Sequence, residues 1–424
     1  MSTTKKTKDV VRGLDRRTFL DVLGRGGLAL ALGAGCAPGE GAREPGEGDE
    51  TLLGESSALS LSLTTKLTAD YGVQYPLVSA GMAFVSLPPL VAAVSNAGGI
   101  GLLGAAVEPA SVVQARIQAI KALTSNLFGV DFIVENATSG PFTTQEHIDV
   151  CVAEGVRLVV FHWNPPDAAW VDALHAAGAK VWVQVGSVAA ASQAVALGVD
   201  GIIAQGVQAG GHARATVDTR ALVKDIKKRV RPALLLAAGG IADGASVVRA
   251  LGYGADGVVA GTRFVASTEA YAHPDYKARL VAAGRDATAL QTFFGPEWPN
   301  ARQRVLRNRV VRQWAGRESR IPSPPPPPAT IGTTVMFPGV LDVPYTMPKF
   351  SATIPTPDTV ADLEEMDMPA GSESVLAVRN IKPAAEIVAE MMGDAQAVIG
   401  LLTILGTTSA DLDEGEDDDS DDDS

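Results

Sequence analysis

His212 follows a pair of glycines in the stretch AQGVQAGGHARATVD, residues 204–218. Histidine is the side chain whose charge changes near neutral pH, and glycine lets a backbone lie close to a ligand. The combination is typical either of a site for acid–base chemistry or anion binding, or of a surface turn with an incidental histidine. The elements that surround the stretch decide between these two interpretations.

Polar residues and glycines recur where apolar runs of the sequence end, and one acid, Asp131, lies within the third run. They are Gly81, Met82, Asp131, Gln184, Gln205, Gly210, Gly211, Gly239, Gly240, Gly261 and Thr262. Backbone N–H groups of a glycine loop that leads into a helix can hold an anion without a lysine. We therefore expect a phosphate site at the last two glycine loops, with tight helix packing as the alternative interpretation. His162 also ends an apolar run, beside Trp163, and could line the same pocket.

Eight short apolar runs, separated by helix-patterned segments, carry these residues. The runs are PLVSA (76–80), GIGLLGA (99–105), FGVDFIV (128–134), RLVVFHW (157–163), KVWVQVG (180–186), GIIAQG (201–206), ALLLAAGG (233–240) and GVVAG (257–261). Nearly continuous apolar sequence suits parallel strands that are buried on both faces. Strand–helix alternation predicts a parallel sheet with right-handed crossovers, and eight such units close into a (β/α)₈ TIM barrel, here over residues 63–275. An open, doubly wound sheet is the alternative.

In a barrel of this kind the active site lies at the C-terminal ends of the strands. That position puts His212 above the centre of the barrel mouth, which favours a functional role over a surface turn. His147 and His175 fall in helix patterns and are expected to be surface or packing residues. His273 lies beyond the last strand of the barrel.

The alternation stops after about residue 275. EWPNARQRVLRNRVVRQWAGR (297–317) predicts a basic amphipathic helix, and IPSPPPPPAT (321–330) predicts a stiff polyproline segment. Residues 330–370 read as Pro-rich and irregular, and NIKPAAEIVAEMMGDA (380–395) predicts a helix. We expect a smaller, partly helical C-terminal lobe that caps the barrel mouth. Its insert would cover residues 276–380, and its C-terminal helices would cover 381–408.

The 424-residue chain has a net charge of −13, but ten of its acids lie in the last fourteen residues. The rest of the chain is near neutral and shows no basic patch for nucleic acid. Residues 409–424 are expected to be disordered through self-repulsion. The two cysteines, Cys36 and Cys151, lack the spacing of a metal site or a disulfide framework. Cys151 is expected to be a small buried hydrophobe.

The N-terminal residues 1–36 combine an Arg-Arg pair with a short apolar run. DRRTFL resembles the twin-arginine export signal of bacteria, and GAGC at 33–36 resembles a lipoprotein processing site with Cys36 as the lipidated residue. Gly33, however, stands where leucine is usual. We expect export through the twin-arginine machinery to the periplasm, or anchoring to a membrane, with residues 37–62 as a flexible linker. A chance Arg-Arg pair before a cytoplasmic domain is the alternative.

Six segments, taken in order, resemble the nitronate monooxygenase family: YPLVSAGM, SNAGGIGLLGA, FGVDF, QGVQAGGH, AAGGIADG and GADGVVAGTRF. PNARQRVLRNR and NIKPAAEIV are similar to later segments of that family, so the resemblance covers about residues 65–395. Members of the family are FMN-dependent barrels without a metal. The resemblance implies that FMN is held by the polar and glycine residues named above, with its phosphate at Gly239, Gly240, Gly261 and Thr262.

The same resemblance implies that His212 lies near the flavin ring, either as a base or as an anion-binding residue. Protonated His212 would hold an anionic nitronate, and neutral His212 would remove an α-proton from a nitroalkane. The implied reaction is the oxidation of alkyl nitronates by O₂ to a carbonyl compound and nitrite. The alternatives are an FMN-dependent NAD(P)H:quinone or enoyl-thioester reductase, and a non-catalytic envelope flavoprotein.

Several positions depart from the family pattern. Asp131 stands where asparagine is common, and Gln208 stands where glutamate is frequent. Ala213 follows the histidine, Arg214 replaces an ordinary glycine, and GSES at 371–374 replaces a Gly-Gln pair. These departures leave the expected fold and flavin site in place and make the substrate the open question.

Overall fold

The computed structural model describes residues 61–137, 140–295, 301–321 and 329–404. Residues 62–398 belong to one structural unit; residues 1–61 and 399–424 form a second unit, of which the described part is small. The predicted export signal with Cys36, nearly all of the predicted linker, most of the polyproline run and the acidic tail lie outside the described residues. In the described ranges no helix is both long and apolar enough to span a membrane.

The eight apolar runs are strands that pair in parallel into a closed barrel. In order around the barrel they are β1 (Leu77–Ser79), β2 (Ile100–Gly104), β3 (Phe128–Val134), β6 (Leu158–Trp163), β7 (Lys180–Val185), β8 (Gly201–Gln205), β10 (Leu235–Ala238) and β11 (Gly257–Ala260). Strand β1 pairs with both β2 and β11, so the sheet has no free edge. The predicted (β/α)₈ TIM barrel is confirmed, and the open sheet is excluded.

Helices connect the barrel strands, as the sequence predicts. They are α1 (Lys66–Tyr71), α2 (Pro88–Asn96), α3 (Ala110–Leu123), α4 (Gln145–Ala153), α5 (Ala168–Ala176), α6 (Val188–Ala196), α7 (Thr219–Arg229), α8 (Gly244–Gly252) and α9 (Thr262–Val265). Helix α1 precedes the first strand and packs Leu67 into the barrel interior. Four of the helices begin at a side chain that accepts a hydrogen bond from a first-turn amide: Asp167, Ser187, Asp218 and Asp243. Such caps satisfy amides that have no partner inside the helix.

Alternate residues of each strand point into the barrel and fill it. The buried interior cluster is apolar and consists of Leu67, Val78, Ile100, Leu102, Leu158, Val160, Trp182, Ile203, Leu234, Leu236, Ala238 and Val259. On β6, β7 and β8 the next inward position holds His162, Gln184 and Gln205, which line a cavity above this cluster. The change from apolar to polar residues therefore sets the boundary between the core and the site.

The predicted basic helix over 297–317 is wrong for its described first part. Gln303–Leu306 is strand β13, which pairs with β12 (Thr288–Gln291) on one side and with β9 (Gly211–His212) on the other. Only α11 (Arg309–Trp314) is helical, because Asn308 caps it by accepting a hydrogen bond from Val311 N. Burial of alternate side chains in an antiparallel sheet outweighs the helical pattern here.

Residues 330–361, predicted to be irregular, form an antiparallel sheet. Strand β14 (Thr330–Met336) pairs with β15 (Val343–Pro348) and β16 (Val360–Ala361). The described part of the C-terminal lobe is thus more β-rich than the sequence predicts. The lobe also contains α12 (Ser374–Ala377) and α13 (Ala384–Ile404), and α10 (Pro274–Ala282) leads into it. The small hairpin of β4 (Asn136–Ala137) and β5 (Gly140–Pro141) belongs to the loop that follows β3 of the barrel. The helix predicted over 380–395 is confirmed and begins directly after Pro383.

Candidate active site

A cavity of about 720 Å³ lies at the C-terminal ends of the barrel strands. Its wall comes partly from the barrel loops and partly from the antiparallel region, which contributes Met336, Tyr345 and residues 351–354. Cavities of this size are typical of sites for small molecules and cofactors. The C-terminal region therefore completes the wall of the cavity that the barrel loops begin.

The residues singled out in the sequence gather around this one cavity. Those that line it are Gly81, Met82, Gln184, Gln205, Gly210, Gly211, His212, Gly239, Gly261 and Thr262. Gly240 lies between two lining residues, Gly239 and Ile241, and Asp131 lies behind the wall, where its carboxyl group packs against Gly81. His162 also lines the cavity.

The glycines of the wall are required by close backbone contacts. A Cβ on Gly210 would lie 2.6 Å from the carbonyl carbon of Ala370, and a Cβ on Gly104 would lie 2.4 Å from that of Met82. Gly239 and Gly240 have φ angles of 108° and 78°, a region that glycine adopts without steric cost. These loops bring backbone, rather than side chains, to the cavity, as a flat cofactor with a phosphate group requires.

One charged side chain departs from this arrangement. A Cβ on Gly240 would lie 2.7 Å from Oε2 of Glu373, so the Glu373 carboxylate lies over the glycine loop expected to hold a phosphate. Glu373 belongs to the GSES segment, which departs from the family pattern. Its negative charge raises the pKa of Arg304, but burial lowers that pKa by more. Thr262 of the neighbouring loop accepts a hydrogen bond from Gly371 N at 3.0 Å. The residues present fit a phosphate, with one acid beside it.

His212 lies on β9 and is partly exposed to the cavity. Its ring meets that of Trp163 edge to face, with 5.1 Å between centroids, and the Arg214 guanidinium lies 5.6 Å from the centre of the Trp163 ring. Trp163 has a φ of 77°, a strained angle for a non-glycine residue of the kind found at functional sites. Desolvation lowers the pKa of His212 to about 4. The imidazole is therefore uncharged at neutral pH.

Asp131 and His162 form a pair that the sequence does not reveal. Asp131 lies on β3 and His162 on the adjacent strand β6, and Oδ1 of the carboxyl group lies 2.5 Å from Nδ1 of the imidazole. The sequence named Asp131 as a cofactor contact and His162 as a possible lining residue. Consecutive strands are neighbours in a TIM barrel, so the position of Asp131 within the third apolar run and of His162 near the end of the fourth is the signal that could have joined them.

Several further polar residues of the cavity were not predicted, among them His147 and Glu108. His147 of α4, expected to be a surface or packing residue, is buried, and it lines the cavity together with Glu108. The His147 Nε2 atom lies 2.9 Å from the Glu108 carbonyl oxygen. Burial raises the pKa of Glu108 to about 7, against the opposing charge of Arg116. Glu108 follows β2, so its position at a strand end is the signal in the sequence.

The described residues provide neither a metal-binding cluster nor a reactive thiol. No group of three or more His, Cys, Asp or Glu side chains in the described ranges is arranged to hold a metal ion. Cys151 is buried, as expected, and burial raises the pKa of its thiol to about 12. The thiol is therefore protonated and inert at neutral pH.

The amino-acid sequence is similar to those of known proteins over about 60% of the chain. A probable nitronate monooxygenase from Staphylococcus aureus is 30% identical over 302 residues, which cover 61% of this chain and 83% of that protein. A protein named (3aS,4S,5R,7aS)-5-hydroxy-7a-methyl-1-oxo-octahydro-1H-indene-4-carboxyl-CoA dehydrogenase from Mycobacterium tuberculosis is 33% identical over 254 residues, or 60% of this chain and 69% of that protein.

Solved structures share the fold over most of the chain. FabK from Thermotoga maritima superposes with a TM-score of 0.67 at 28% identity and covers 81% of this chain and 100% of its own. A nitroalkane oxidase from Streptomyces ansochromogenes, with a TM-score of 0.64, 24% identity and coverage of 80% and 100%, supports the fold alone. The model of the family described as nitronate monooxygenase matches residues 64–394. The chain therefore belongs to the nitronate monooxygenase family of flavin-dependent oxidoreductases.

Proposed function

We propose that the protein is an FMN-dependent enzyme that oxidises alkyl nitronates, and the nitroalkanes from which they form, with O₂ to a carbonyl compound and nitrite. The observation that carries the proposal is the gathering of the glycine loops and His212 around one cavity at the barrel mouth. FMN, when bound, supplies the redox chemistry, and the protein supplies binding, orientation and the exclusion of water.

The residues that would hold FMN divide by chemistry. The loops of Gly239, Gly240 and Gly261 present backbone N–H groups suited to the phosphate, and Thr262 adds a hydroxyl group. Gln184 and Gln205, at the boundary of the apolar interior, offer amide donors and acceptors to the polar edge of a ring system. The site therefore contains a partner for each end of the cofactor.

His212 would act on the substrate. Since its imidazole is uncharged at neutral pH, it would hold a nitro or nitronate oxygen by a hydrogen bond rather than by a full charge. A base is most effective when its pKa lies near the working pH, and a pKa of about 4 makes His212 a weak proton acceptor. Its role as a base stays a prediction from the family resemblance.

The experiment that tests the proposal compares substrates on purified, FMN-reconstituted protein. We expect flavin absorbance bands, release of FMN on heating, and steady oxygen uptake with an alkyl nitronate that yields nitrite. NAD(P)H oxidation with a quinone or an enoyl thioester is expected to be slower. The proposal is contradicted if the folded protein binds no FMN. It is also contradicted if the flavoprotein consumes no oxygen with any of the alkyl nitronates that are tested.

A second candidate function is a redox reaction on a thioester. The relative from Mycobacterium tuberculosis carries the name of a carboxyl-CoA dehydrogenase and is 33% identical to this chain. Faster turnover of an acyl-CoA or enoyl thioester than of nitronate, in the same assay, would establish this function instead. Absence of turnover with every substrate, despite bound flavin, would favour a non-catalytic flavoprotein.

The position of Glu373 leads to a prediction on cofactor affinity. Two like charges about 4 Å apart in water repel each other by ~1 kcal/mol. Glu373→Gln removes a negative charge that lies over Gly240 of the phosphate loop, so we expect the dissociation constant of FMN to fall about fivefold. Fluorescence titration of the apoprotein measures this constant. Glu146→Gln, at an exposed position of α4, is the matched control, and equal affinity in both variants would contradict the prediction.

We further propose that the protein is exported by the twin-arginine machinery, on the basis of DRRTFL at residues 15–20. Replacing Arg16 and Arg17 by lysine is then expected to leave the full-length precursor in the cytoplasm. Cell fractionation measures the distribution, and an unchanged distribution removes the proposal. Cys36→Ala tests the lipid anchor separately, because a lipidated protein would leave the membrane fraction.

A further inference from the structure

The strand ends beneath the cavity hold a buried carboxyl–imidazole pair. The side chain of Asp131 is 2% exposed and that of His162 is 18% exposed, and their atoms Oδ1 and Nδ1 are 2.5 Å apart. Within the described residues, Nδ1 of His162 is hydrogen-bonded to the Asp131 carboxyl group. The ring of His162 also lines the cavity. The pair therefore connects the interior of the barrel to the space where a substrate would bind.

Asp131 is held in place from the opposite side. A Cβ on Gly81 would lie 2.4 Å from both Cβ and Oδ2 of Asp131, so the carboxyl group has no room to turn away from His162. Parallel pairing of β3 and β6 fixes the two backbones beside each other. An anchored carboxylate at Nδ1 fixes the orientation of an imidazole and keeps the proton on that nitrogen. The Nε2 atom is then left with its lone pair as a proton acceptor.

Charge balance favours proton uptake at Nε2. Protonation turns His162 into an imidazolium whose charge offsets the buried Asp131 carboxylate, as in other carboxylate–histidine pairs. Burial raises the pKa of Asp131, and the charge of His162 acts on that pKa in the opposite direction. The remaining titratable groups of the cavity wall are Glu108, His147, His212, Tyr276, Tyr345 and Asp367. Burial lowers the pKa of His212 to about 4, so its imidazole is a weak proton acceptor.

We propose that His162 is the catalytic base that removes the α-proton of a neutral nitroalkane, and that Asp131 is its positioning residue. This inference rests on the proposed function and names a residue for its first step. In that step the α-C–H bond breaks, its electron pair forms the C=N bond of the nitronate, and the proton moves to Nε2 of His162. The negative charge goes to the nitro oxygens, which His212 would hold. No oxidant is consumed in this step.

The test follows α-proton exchange of a nitroalkane with deuterated water, by NMR, under anaerobic conditions with FMN-loaded protein. The wild type is expected to accelerate exchange. His162→Gln is expected to lower the exchange rate by about 10²- to 10⁴-fold, the usual share of acid–base catalysis. Asp131→Asn is expected to lower it by about 10²-fold or more, because an amide favours the wrong tautomer. His175→Gln, at an exposed position on α5, is the matched control.

Two further readouts separate positioning from loss of structure. The proton between Asp131 and His162 is expected to give a strongly downfield resonance that both variants lose and the control keeps. With oxygen present, His162→Gln is expected to lose much less turnover with preformed nitronate than with nitroalkane, because preformed nitronate needs no base. Added imidazole is expected to restore exchange in His162→Gly, which has room for it.

The outcomes decide separately on the base and on the overall reaction. Unchanged exchange in His162→Gln, or an equal loss with nitroalkane and nitronate, overturns the role of His162 as base. Unchanged exchange in Asp131→Asn with the downfield resonance lost overturns the positioning role. If the wild type exchanges the α-proton but forms no nitrite, the role of His162 as base stands and the proposed oxidation is wrong. A wild type without exchange rejects the base, whatever its oxidase activity.

Discussion

His212→Ala is expected to lower kcat/KM for an alkyl nitronate by about 10- to 150-fold, while FMN content stays near that of the wild type. The range corresponds to the loss of a hydrogen bond to a charged group, ~1.5–3 kcal/mol, because the nitronate is an anion and the His212 ring would hold one of its oxygens. FMN content is preserved because glycine backbone, rather than the imidazole, forms the loops around the cofactor. Steady-state oxygen uptake and flavin absorbance measure the two quantities.

The substrate form distinguishes the two roles that the family resemblance left open for His212. A base role predicts a loss of about 10²- to 10⁴-fold with nitroalkanes and little loss with nitronates, which arrive already deprotonated. A holding role predicts losses with both. His175→Ala is the control, because His175 is exposed and pairs with Asp200 on the outside of the barrel. Full activity of His212→Ala on both forms would show that AGGH is only a tight turn.

The sequence predicts the barrel well because its signal is local. Each strand is a short apolar run, and each is followed by a helix with its own cap, such as Ser187 or Asp218. The topology then follows from a general rule, since consecutive strands joined by right-handed crossovers are neighbours. The glycine loops and His212 were placed for the same reason, because strand ends meet at one face of a barrel.

Elements that depend on distant partners were not predicted. Strand β13 owes its conformation to pairing of Gln303 with His212, more than ninety residues earlier in the chain. The strands of residues 330–361 likewise pair among themselves in a region whose prolines suggested irregular structure. A hydrophobic pattern of four to seven residues does not distinguish a strand from a short helix until the partner is known.

For the site as well, the positions of residues along the strands were predictable from the sequence, whereas the contacts between side chains were not. The sequence placed Gln184 and Gln205 at strand ends and Asp131 on the third strand. The structure finds the two glutamines on the cavity wall and Asp131 behind it. The sequence did not pair Asp131 with His162, because a distance of 2.5 Å depends on strand register and on the space that Gly81 leaves. Nor did it bring Glu108 into the cavity, because that residue was not part of a recognised motif.

The floor of the barrel is expected to govern stability, and Trp182 is its largest side chain. Its indole is fully buried, Nε1 donates a hydrogen bond to the Tyr71 hydroxyl at 2.6 Å, and the two rings meet edge to face at 5.1 Å. Trp182→Ala removes the ring and leaves a cavity, so we expect the free energy of unfolding to fall by ~3–5 kcal/mol. Urea unfolding followed by circular dichroism measures it.

Two conservative variants separate the contributions of the ring and of its hydrogen bond. Tyr71→Phe keeps both rings and leaves the indole N–H without its acceptor, at a cost of ~1–3 kcal/mol. Trp182→Phe retains part of the volume and is expected to fall between the wild type and the alanine variant. A loss below ~1 kcal/mol in Trp182→Ala would show that neighbouring side chains refill the space. Gln184, the next inward residue after Trp182 on β7, lines the cavity. We therefore expect FMN affinity to fall in the same order as stability, from the wild type through Trp182→Phe to Trp182→Ala. That result would show that packing of the apolar floor supports the polar layer that forms the site.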